Sequence, residues 1–513
     1  MDSKNIFEEI ALRGVSYESM GRMIEYFSPK LKETINLMNS FTENEKRAYS
    51  EFYALLSLMA YFQYISVELA SVSRAYLRAD LDMEKRYNLK WINCVILEAY
   101  KHLYGYGGRR KKTLWVSTIR PLYDTISNCE FKQGVDALER RIIEFGEGDI
   151  TDRGQRDLGI HYDFEPHSVY KMLMKLSEKE EFQRMKLFML LLQDISFFVS
   201  KHIDEYTISI NNVPQVSLKY GLGLFDFDIF EGNKDEIYST TGDTIASHAQ
   251  KIGEFIHREL RLPVLIRQIL RVTDDRSLTP FNRLIEIQKV VIQLEYLYID
   301  LASAMRALIR AEYSMEKKLL MKQMGVIVFE GYRKIYGLSD EYDESFWKLY
   351  VRPVVLESEN ELLMAELQLK EGLLQLFRMK VKKQDEQRQL SVHFDEGILK
   401  VYSMLQSLTQ IEEFLKVADL LKLLPEITGF LGKCAHAVEL KSQNDEAKKR
   451  AITYEEIMSL LEKVPDSSQK DRAIEWLKKY QSGELLEELK RRARIQSRSR
   501  IHSFAQNKRW RYI

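Results

Sequence analysis

The 513-residue sequence contains few of the residues that end helices. It has 9 prolines and 23 glycines, while 30% of its residues are charged and 45% are hydrophobic. Proline removes a backbone donor and glycine weakens a helix entropically, so a chain poor in both and rich in Leu, Glu, Lys and Arg favours helices. The apolar content is sufficient for sizeable cores and excludes a wholly disordered chain. We therefore expect an all-α protein.

Cysteines and long apolar runs are also scarce. Cys94, Cys129 and Cys434 lack the paired spacing of a zinc site, and their odd number cannot complete a disulfide framework. The densest apolar run, residues 187–192, is far shorter than the roughly 20 residues that cross a bilayer, and acidic residues near the amino terminus argue against a secretory signal. We expect buried cysteines, no metal, no cofactor, no membrane contact and a cytoplasmic location.

The sequence repeats itself at one fixed offset. Residues 69–85 recur at 301–317, and the match continues without a gap over residues 64–201 and 296–433, with about 40 identities. The matched residues include Trp, Arg-Pro and Tyr-x-x-x-Tyr-Gly, which a generic helical pattern would not align at a constant shift. We therefore interpret the chain as a tandem duplication of a helical bundle.

This duplication predicts the domain organisation. Residues 1–220 form a first helical domain with a strand-like piece near its end, 221–243 a linker, 244–450 a second helical domain, and 451–513 a helical extension without a counterpart. A duplicated surface that once paired with itself remains self-complementary. We therefore expect the two bundles to pack as a pseudo-two-fold intramolecular dimer.

One histidine pair is preserved by the duplication. His161 aligns with His393, and an arginine stands five positions before each, at Arg156 and Arg388. Histidine titrates near neutrality and can accept or deliver a proton. Arginine offers a fixed charge and a planar fork for phosphate oxygens. Each copy therefore carries an Arg-x4-His motif with the residue types that RNA cleavage requires.

The paired motif on helical bundles resembles the HEPN superfamily (higher eukaryotes and prokaryotes nucleotide-binding domain). Its ribonucleases carry Arg-x(4 to 6)-His, often with a polar residue after the arginine, where copy one has Asp157 and copy two has Gln389. In plan the chain is similar to RNA-targeting CRISPR nucleases with two HEPN domains. The resemblance implies a metal-independent endoribonuclease that uses 2′-hydroxyl attack at one composite site. The residues it implicates as catalytic are Arg156, Asp157, His161, Arg388 and His393.

Family analogy also suggests a biological role. It implies a prokaryotic effector of antiviral defence or a toxin, with RNA, an antitoxin or defence-system regulator, and a second copy of the chain as partners. An alternative stays open: Arg156 and His161 would only hydrogen-bond Asp163 and nearby backbone. The chain would then be a catalytically inactive pair of domains that binds RNA or serves as a protein scaffold.

Positive charge is concentrated at the carboxy end of a chain whose 76 basic and 76 acidic residues balance. Residues 490–513 contain no acid, and aromatic residues are interleaved among the basic ones, so this tail could bind phosphates and stack bases. A solvated terminal tail is the alternative. The predicted RNA-binding residues are Lys490, Arg491, Arg492, Arg494, Arg498, Arg500, Lys508, Arg509 and Arg511.

Two further sets of polar residues are shared by the copies. Helical spacing predicts an intrahelical charge network for the first set, Arg74, Arg78 and Glu84 with Arg306, Arg310 and Glu316. Packing with hydrogen-bonded hydroxyls is predicted for the second set, Tyr100, Tyr104, Tyr332 and Tyr336.

Overall fold

The computed structural model describes residue 10 and residues 14–105, 113–125, 128–148, 166–209, 233–254, 279–338, 345–382 and 397–446, together with positions 471, 474, 475 and 478. Every regular element in these ranges is a helix, and no strand occurs within them. The prediction of an all-α protein is confirmed.

Eight α-helices are described in the first part of the chain. They are α1 (Tyr17–Ser40), α2 (Glu43–Ala48), α3 (Ser50–Arg78), α4 (Asp82–Leu103), α5 (Arg120–Thr125), α6 (Cys129–Gly148), α7 (Pro166–Lys175) and α8 (Glu178–Ser209). A π-helical turn, Trp115–Ile119, leads directly into α5. Because α8 continues to Ser209, the strand-like piece predicted near residue 206 is wrong there.

Seven α-helices follow in the second part. They are α9 (Lys234–Glu254), α10 (Thr279–Ile309), α11 (Ser314–Ile335), α12 (Arg352–Ser358), α13 (Glu361–Lys382), α14 (Ile398–Ser407) and α15 (Gln410–Glu446). A second π-helical turn, Trp347–Val351, leads into α12. Helix α9 begins inside the range predicted as a linker, so residues 234–243 are helical.

The helix boundaries repeat at the same offset as the sequence. Helices α4, α5, α6, α7 and α8 begin at the residues that the alignment pairs with the first residues of α11, α12, α13, α14 and α15, and the two π-helical turns coincide in the same way. Helices α4 and α11 each end at a Tyr-Gly step, where Gly105 and Gly337 have φ angles of 81° and 89°. Glycine adopts this left-handed conformation without a Cβ penalty, which explains the shared helix end.

The chain divides into two compact units. The first comprises Met1–Ile252 and Lys289–Gly432, and the second comprises Gly253–Gln288 and Lys433–Ile513. Both copies contribute to the first unit. Within the second unit, Arg283 forms an ion pair with Glu286 one turn away at 2.9 Å.

Helix α3 lies at the centre of the first copy, where α1, α4 and α8 pack against it. Of the helices in the described ranges, it is the one long and apolar enough to cross a membrane, and 94% of its apolar stretch is buried inside the protein. The core helix of a globular bundle has the same properties.

The cysteines differ in their burial. Cys94 and Cys434 are buried as predicted, but Cys129 is exposed. Cys129 is the first residue of α6 and its side chain faces solvent. The neighbouring Glu130 forms an ion pair with Lys201. The prediction that all three are buried is therefore wrong for Cys129.

Candidate functional site

The two copies contact each other through ion pairs that occur in reciprocal sets. Arg74 Nε lies 3.4 Å from Glu316 Oε1, and Arg306 Nε lies 2.9 Å from Glu84 Oε1. Arg74 and Arg306 occupy equivalent positions of the repeat, as do Glu84 and Glu316. All four side chains are buried. A contact between i and j that recurs between j and i is the pattern that a two-fold axis produces.

A second reciprocal set of ion pairs is also buried between the copies. Lys90 forms an ion pair with Asp300, and its counterpart Lys322 forms one with Glu68. The side chains of these pairs are at most 7% exposed. Lys322 Nζ also donates a hydrogen bond to Tyr64 Oη at 2.8 Å. Removing one partner of a buried ion pair costs about 3–5 kcal/mol because the other charge stays buried, so these pairs fix which surfaces meet.

Two equivalent arginines meet each other directly. Arg78 donates a hydrogen bond to the backbone oxygen of Arg310, and Arg310 Nη1 donates one to the backbone oxygen of Arg78 at 3.4 Å. Equivalent residues make mutual contacts where they approach a symmetry axis. The carboxy-terminal ends of α3 and α10 therefore contact each other.

The buried glutamates of the arginine pairs also cap helices. Glu316 Oε2 accepts hydrogen bonds from the backbone amides of Glu312 and Tyr313 at 3.0 and 3.4 Å. Glu84 Oε2 accepts one from the amide of Asp80 at 3.3 Å. The other carboxylate oxygen of each glutamate receives an arginine from the opposite copy. Helix capping and pairing of the copies thus depend on the same side chain.

A tyrosine covers each buried arginine. The guanidinium carbon of Arg74 lies 3.7 Å from the ring centroid of Tyr17, and that of Arg306 lies 3.5 Å from the ring of Tyr238. Each arginine also donates a hydrogen bond to the backbone oxygen of the same tyrosine. Stacking and hydrogen bonding together position the charge toward its carboxylate.

These tyrosines reveal an earlier part of the duplication that the sequence analysis missed. Tyr17 and Tyr238 are separated by fewer positions than the matched residues of the repeat, because the segment between the tyrosine and the start of the repeat is shorter in the second copy. The signal is a Tyr-x3-Gly-x2-Ile pattern that begins at Tyr17 and again at Tyr238. A Cβ at Gly21 would lie 2.5 Å from Arg74 Nη1, and one at Gly242 would lie 2.6 Å from the equivalent atom. Helices α1 and α9 are therefore counterparts.

The predicted intrahelical charge network is wrong. Arg74 and Arg78 stand one turn apart on α3, but their carboxylate partners belong to the second copy. Spacing along a sequence identifies neighbours on the same helix and does not identify the helix that packs opposite.

The predicted role of the shared tyrosines is confirmed for the packing of their rings and for the hydrogen-bonded hydroxyls of Tyr100, Tyr104 and Tyr332. Tyr100 Oη donates to the backbone oxygen of Ile142 at 3.2 Å, and Tyr332 Oη donates to that of Leu374 at 2.6 Å, again at corresponding positions. The other two pack on the tryptophans of the π-helical turns: Tyr104 on Trp115 and Tyr336 on Trp347.

The predicted catalytic residues, Arg156, Asp157, His161, Arg388 and His393, lie outside the described residues, as does the basic tail at 490–513. The helices that follow the two motifs are described. Helix α7 begins five residues after the first histidine and α14 begins five residues after the second.

Both of these helices lie near the opposite copy. Helix α14 of the second copy packs against α3 of the first. Burial raises the pKa of Tyr296 on α10, and Tyr170 on α7 is close enough to raise it further. The chain on the carboxy side of each motif therefore leads into the interface between the copies.

The structure also pairs a histidine that sequence reasoning did not select. His248 Nδ1 contacts Glu295 Oε2, and its ring stacks on Tyr298 with centroids 4.4 Å apart. Burial opposes ionisation of Glu295, but the hydrogen bond from His248 and the charge of Lys251 hold its pKa below the ordinary value. A carboxylate that orients an imidazole suits a general base. The equivalent positions in the first copy hold phenylalanine and glutamine, so this pair is not duplicated.

Within the described ranges, no group of three or more His, Cys, Asp or Glu side chains is arranged to hold a metal ion. No family model, curated protein or solved structure matches the chain.

Proposed function

We propose that this chain is a metal-independent endoribonuclease of the HEPN type. Its two domains pack as a pseudo-two-fold intramolecular dimer, in which the two Arg-x4-His motifs form one composite site. By family analogy it acts as a prokaryotic defence effector or toxin. The observation that supports this proposal best is the reciprocal pairing of the copies through Arg74 with Glu316 and Arg306 with Glu84.

A composite site built from two equivalent motifs requires two copies that face each other around an axis, and reciprocal contacts are the sign of such an axis. Helix α7 begins only five positions after His161, and α14 begins only five positions after His393. Five residues extend at most about 18 Å. Both helices lie near the opposite copy, which favours a pair of motifs close to the same interface.

The proposed reaction is an internal transesterification of RNA. The 2′-oxygen attacks the adjacent phosphorus while one histidine takes its proton. The bond from phosphorus to the 5′-oxygen breaks, and the other histidine gives that oxygen a proton. The two arginines neutralise the extra charge on the non-bridging oxygens. The products are a 2′,3′-cyclic phosphate and a 5′-hydroxyl.

The test uses labelled RNA in the presence of EDTA. Changing His161→Ala or His393→Ala should each remove most cleavage, and the double variant should lose little more, because residues acting as one unit are non-additive. Arg156→Ala or Arg388→Ala should slow cleavage by about 100-fold or more. A matched control is His436→Ala, since this exposed histidine lies outside both motifs and its loss should leave the rate unchanged.

The substrate provides a second check. RNA with a 2′-deoxy sugar at the cut position should be bound and not cleaved. Full activity in the double histidine variant would place the chemistry elsewhere, and loss of that activity in His248→Ala would point to the pair with Glu295. RNA that is bound but never cut, under every activating condition tried, would favour the inactive scaffold.

A further inference from the structure

Helix α13 is apolar on two faces. One face is buried in the first unit through Leu363, Leu367 and Leu374, which recur at helical spacing. The opposite face carries a second stripe at positions 362, 365, 369, 372, 376 and 379, which alternate by three and four residues. Its large members are Leu362, Leu369, Leu376 and Met379, with exposed fractions of 84%, 62%, 69% and 68%. A stripe with this period is the seam of a coiled coil.

The duplication supplies an internal comparison for this stripe. Helix α6 is the counterpart of α13 in the first copy and buries the equivalent inner face. Its outer positions, in the same order, are Glu130, Gln133, Ala137, Arg140, Glu144 and Glu147. Packing of this helix in the bundle therefore needs no apolar outer face. The leucines of α13 are additional to what the fold requires, and exposed apolar stripes of this kind mark interaction surfaces.

We propose that the outer face of α13 binds the same face of a second copy of this chain, with the two helices antiparallel. The choice of a second copy rests on self-complementarity. When α13 is set antiparallel to itself, Leu369 faces Gly372 of the other copy, Leu376 faces Ala365, and Leu362 faces Met379. Large residues then face small ones next to the two-fold axis, so the helices can approach closely and pack knobs into holes. Open space surrounds Gly372, so nothing within 4 Å obstructs this approach.

Charge along the helix selects the antiparallel orientation. Glu361 and Glu366 lie in its amino-terminal part, whereas Arg378 and Lys380 lie in its carboxy-terminal part. Antiparallel pairing brings the acidic end of each helix to the basic end of the other. Parallel pairing would place like charges side by side, which opposes association.

The first test is the mass of the protein in solution. Sedimentation equilibrium of the wild-type chain should show a dimer of the 60.5 kDa protomer. Leu369→Glu places a charge in the seam twice per dimer, so the dissociation constant should rise on the order of 1000-fold. Because Leu369 is exposed in the protomer, thermal unfolding of the diluted protein should not change. The matched control is Ala137→Glu, which introduces the same charged residue at the equivalent position of α6, and it should leave the dimer intact.

The second test reports the orientation. In a Cys129→Ser background, which removes the exposed native thiol, chains carrying Leu362→Cys are mixed with chains carrying Met379→Cys. The antiparallel arrangement predicts a disulfide-linked dimer in the mixture and none with either variant alone. Crosslinking of each variant with itself would overturn the antiparallel orientation.

Two outcomes would overturn the proposal as a whole. A wild-type chain that stays monomeric up to concentrations of about 100 μM, where a dimer with a micromolar dissociation constant would be almost fully formed, would show that the stripe does not join two copies. A dimer that survives Leu369→Glu would place the interface on another surface. Neither outcome bears on RNA cleavage, because the stripe is independent of the Arg-x4-His motifs.

Discussion

Substituting Glu316 should destabilise the protein more than any equivalent change in the first copy. Its carboxylate is fully buried, pairs with both Arg74 and Arg78, and accepts hydrogen bonds from the two backbone amides just before α11. Glu84, its counterpart, receives one arginine side chain, Arg306. Glu316→Gln therefore removes a buried anion that two guanidinium groups share, whereas Glu84→Gln removes one that pairs with a single guanidinium group. We expect both variants to lose stability, with the larger loss at position 316.

The magnitude follows from burial. Breaking a buried ion pair by removing one partner costs about 3–5 kcal/mol. The first unit contains about 400 residues, and an unfolding entropy of roughly 2.1 cal/mol/K per residue gives about 0.8 kcal/mol per degree for a unit of this size. The melting temperature of Glu316→Gln should therefore fall by about 4–6 °C.

Differential scanning calorimetry measures this shift, with Glu43→Gln as the control. Glu43 also forms an ion pair, with Lys46 at 2.7 Å, but it is 78% exposed. Such a surface pair is screened by solvent, and its loss should not shift the melting temperature measurably. A Glu316→Gln protein that melts with the wild type and with Glu43→Gln would refute the view that the reciprocal ion pairs hold the copies together.

Three other measurements test separate parts of the structure. Gly21→Ala and Gly242→Ala should each lower stability by about 1–3 kcal/mol in urea titrations, because the new methyl displaces a pinned arginine, whereas Gly429→Ala, with open space around it, should not. Burial lowers the pKa of Lys318 to about 8 from 10.5, so the unfolded state binds this proton more tightly, and stability should rise with pH between these values. Lys318→Arg should flatten that rise. Removing residues 490–513 should weaken RNA binding and its salt dependence while leaving the cut site unchanged; unchanged binding at several salt concentrations would indicate a solvated tail.

The sequence allowed the helical class and the duplication to be predicted because both depend on local or aligned information. The scarcity of proline and glycine indicates helices whatever the tertiary contacts of those helices are. Identities at one fixed offset identify corresponding helices, and the Tyr-Gly steps at Gly105 and Gly337 mark shared helix ends that the structure contains.

The features that could not be predicted from the sequence depend on which helix surfaces contact each other in the folded chain. The buried partners of Arg74 and Arg306 lie in the opposite copy of the repeat, and helical spacing suggested nearer ones. Helices α1 and α9 escaped the alignment because their offset differs from that of the repeat. The outer stripe of α13 has the same leucine spacing as a core face, and only the packed structure separates the two.

The difference between α6 and α13 determines how far association can proceed. If the outer faces of both α6 and α13 were apolar, each chain would have two binding surfaces. Every chain that joined through one surface would then leave the other free for a further chain. Open-ended growth of this kind produces fibres. The first copy has glutamates at 130, 144 and 147 where the second has large apolar residues, so each chain has one apolar stripe. Pairing of two chains buries both stripes. The polar outer face of α6 thus prevents a third chain from binding and limits the assembly to a dimer.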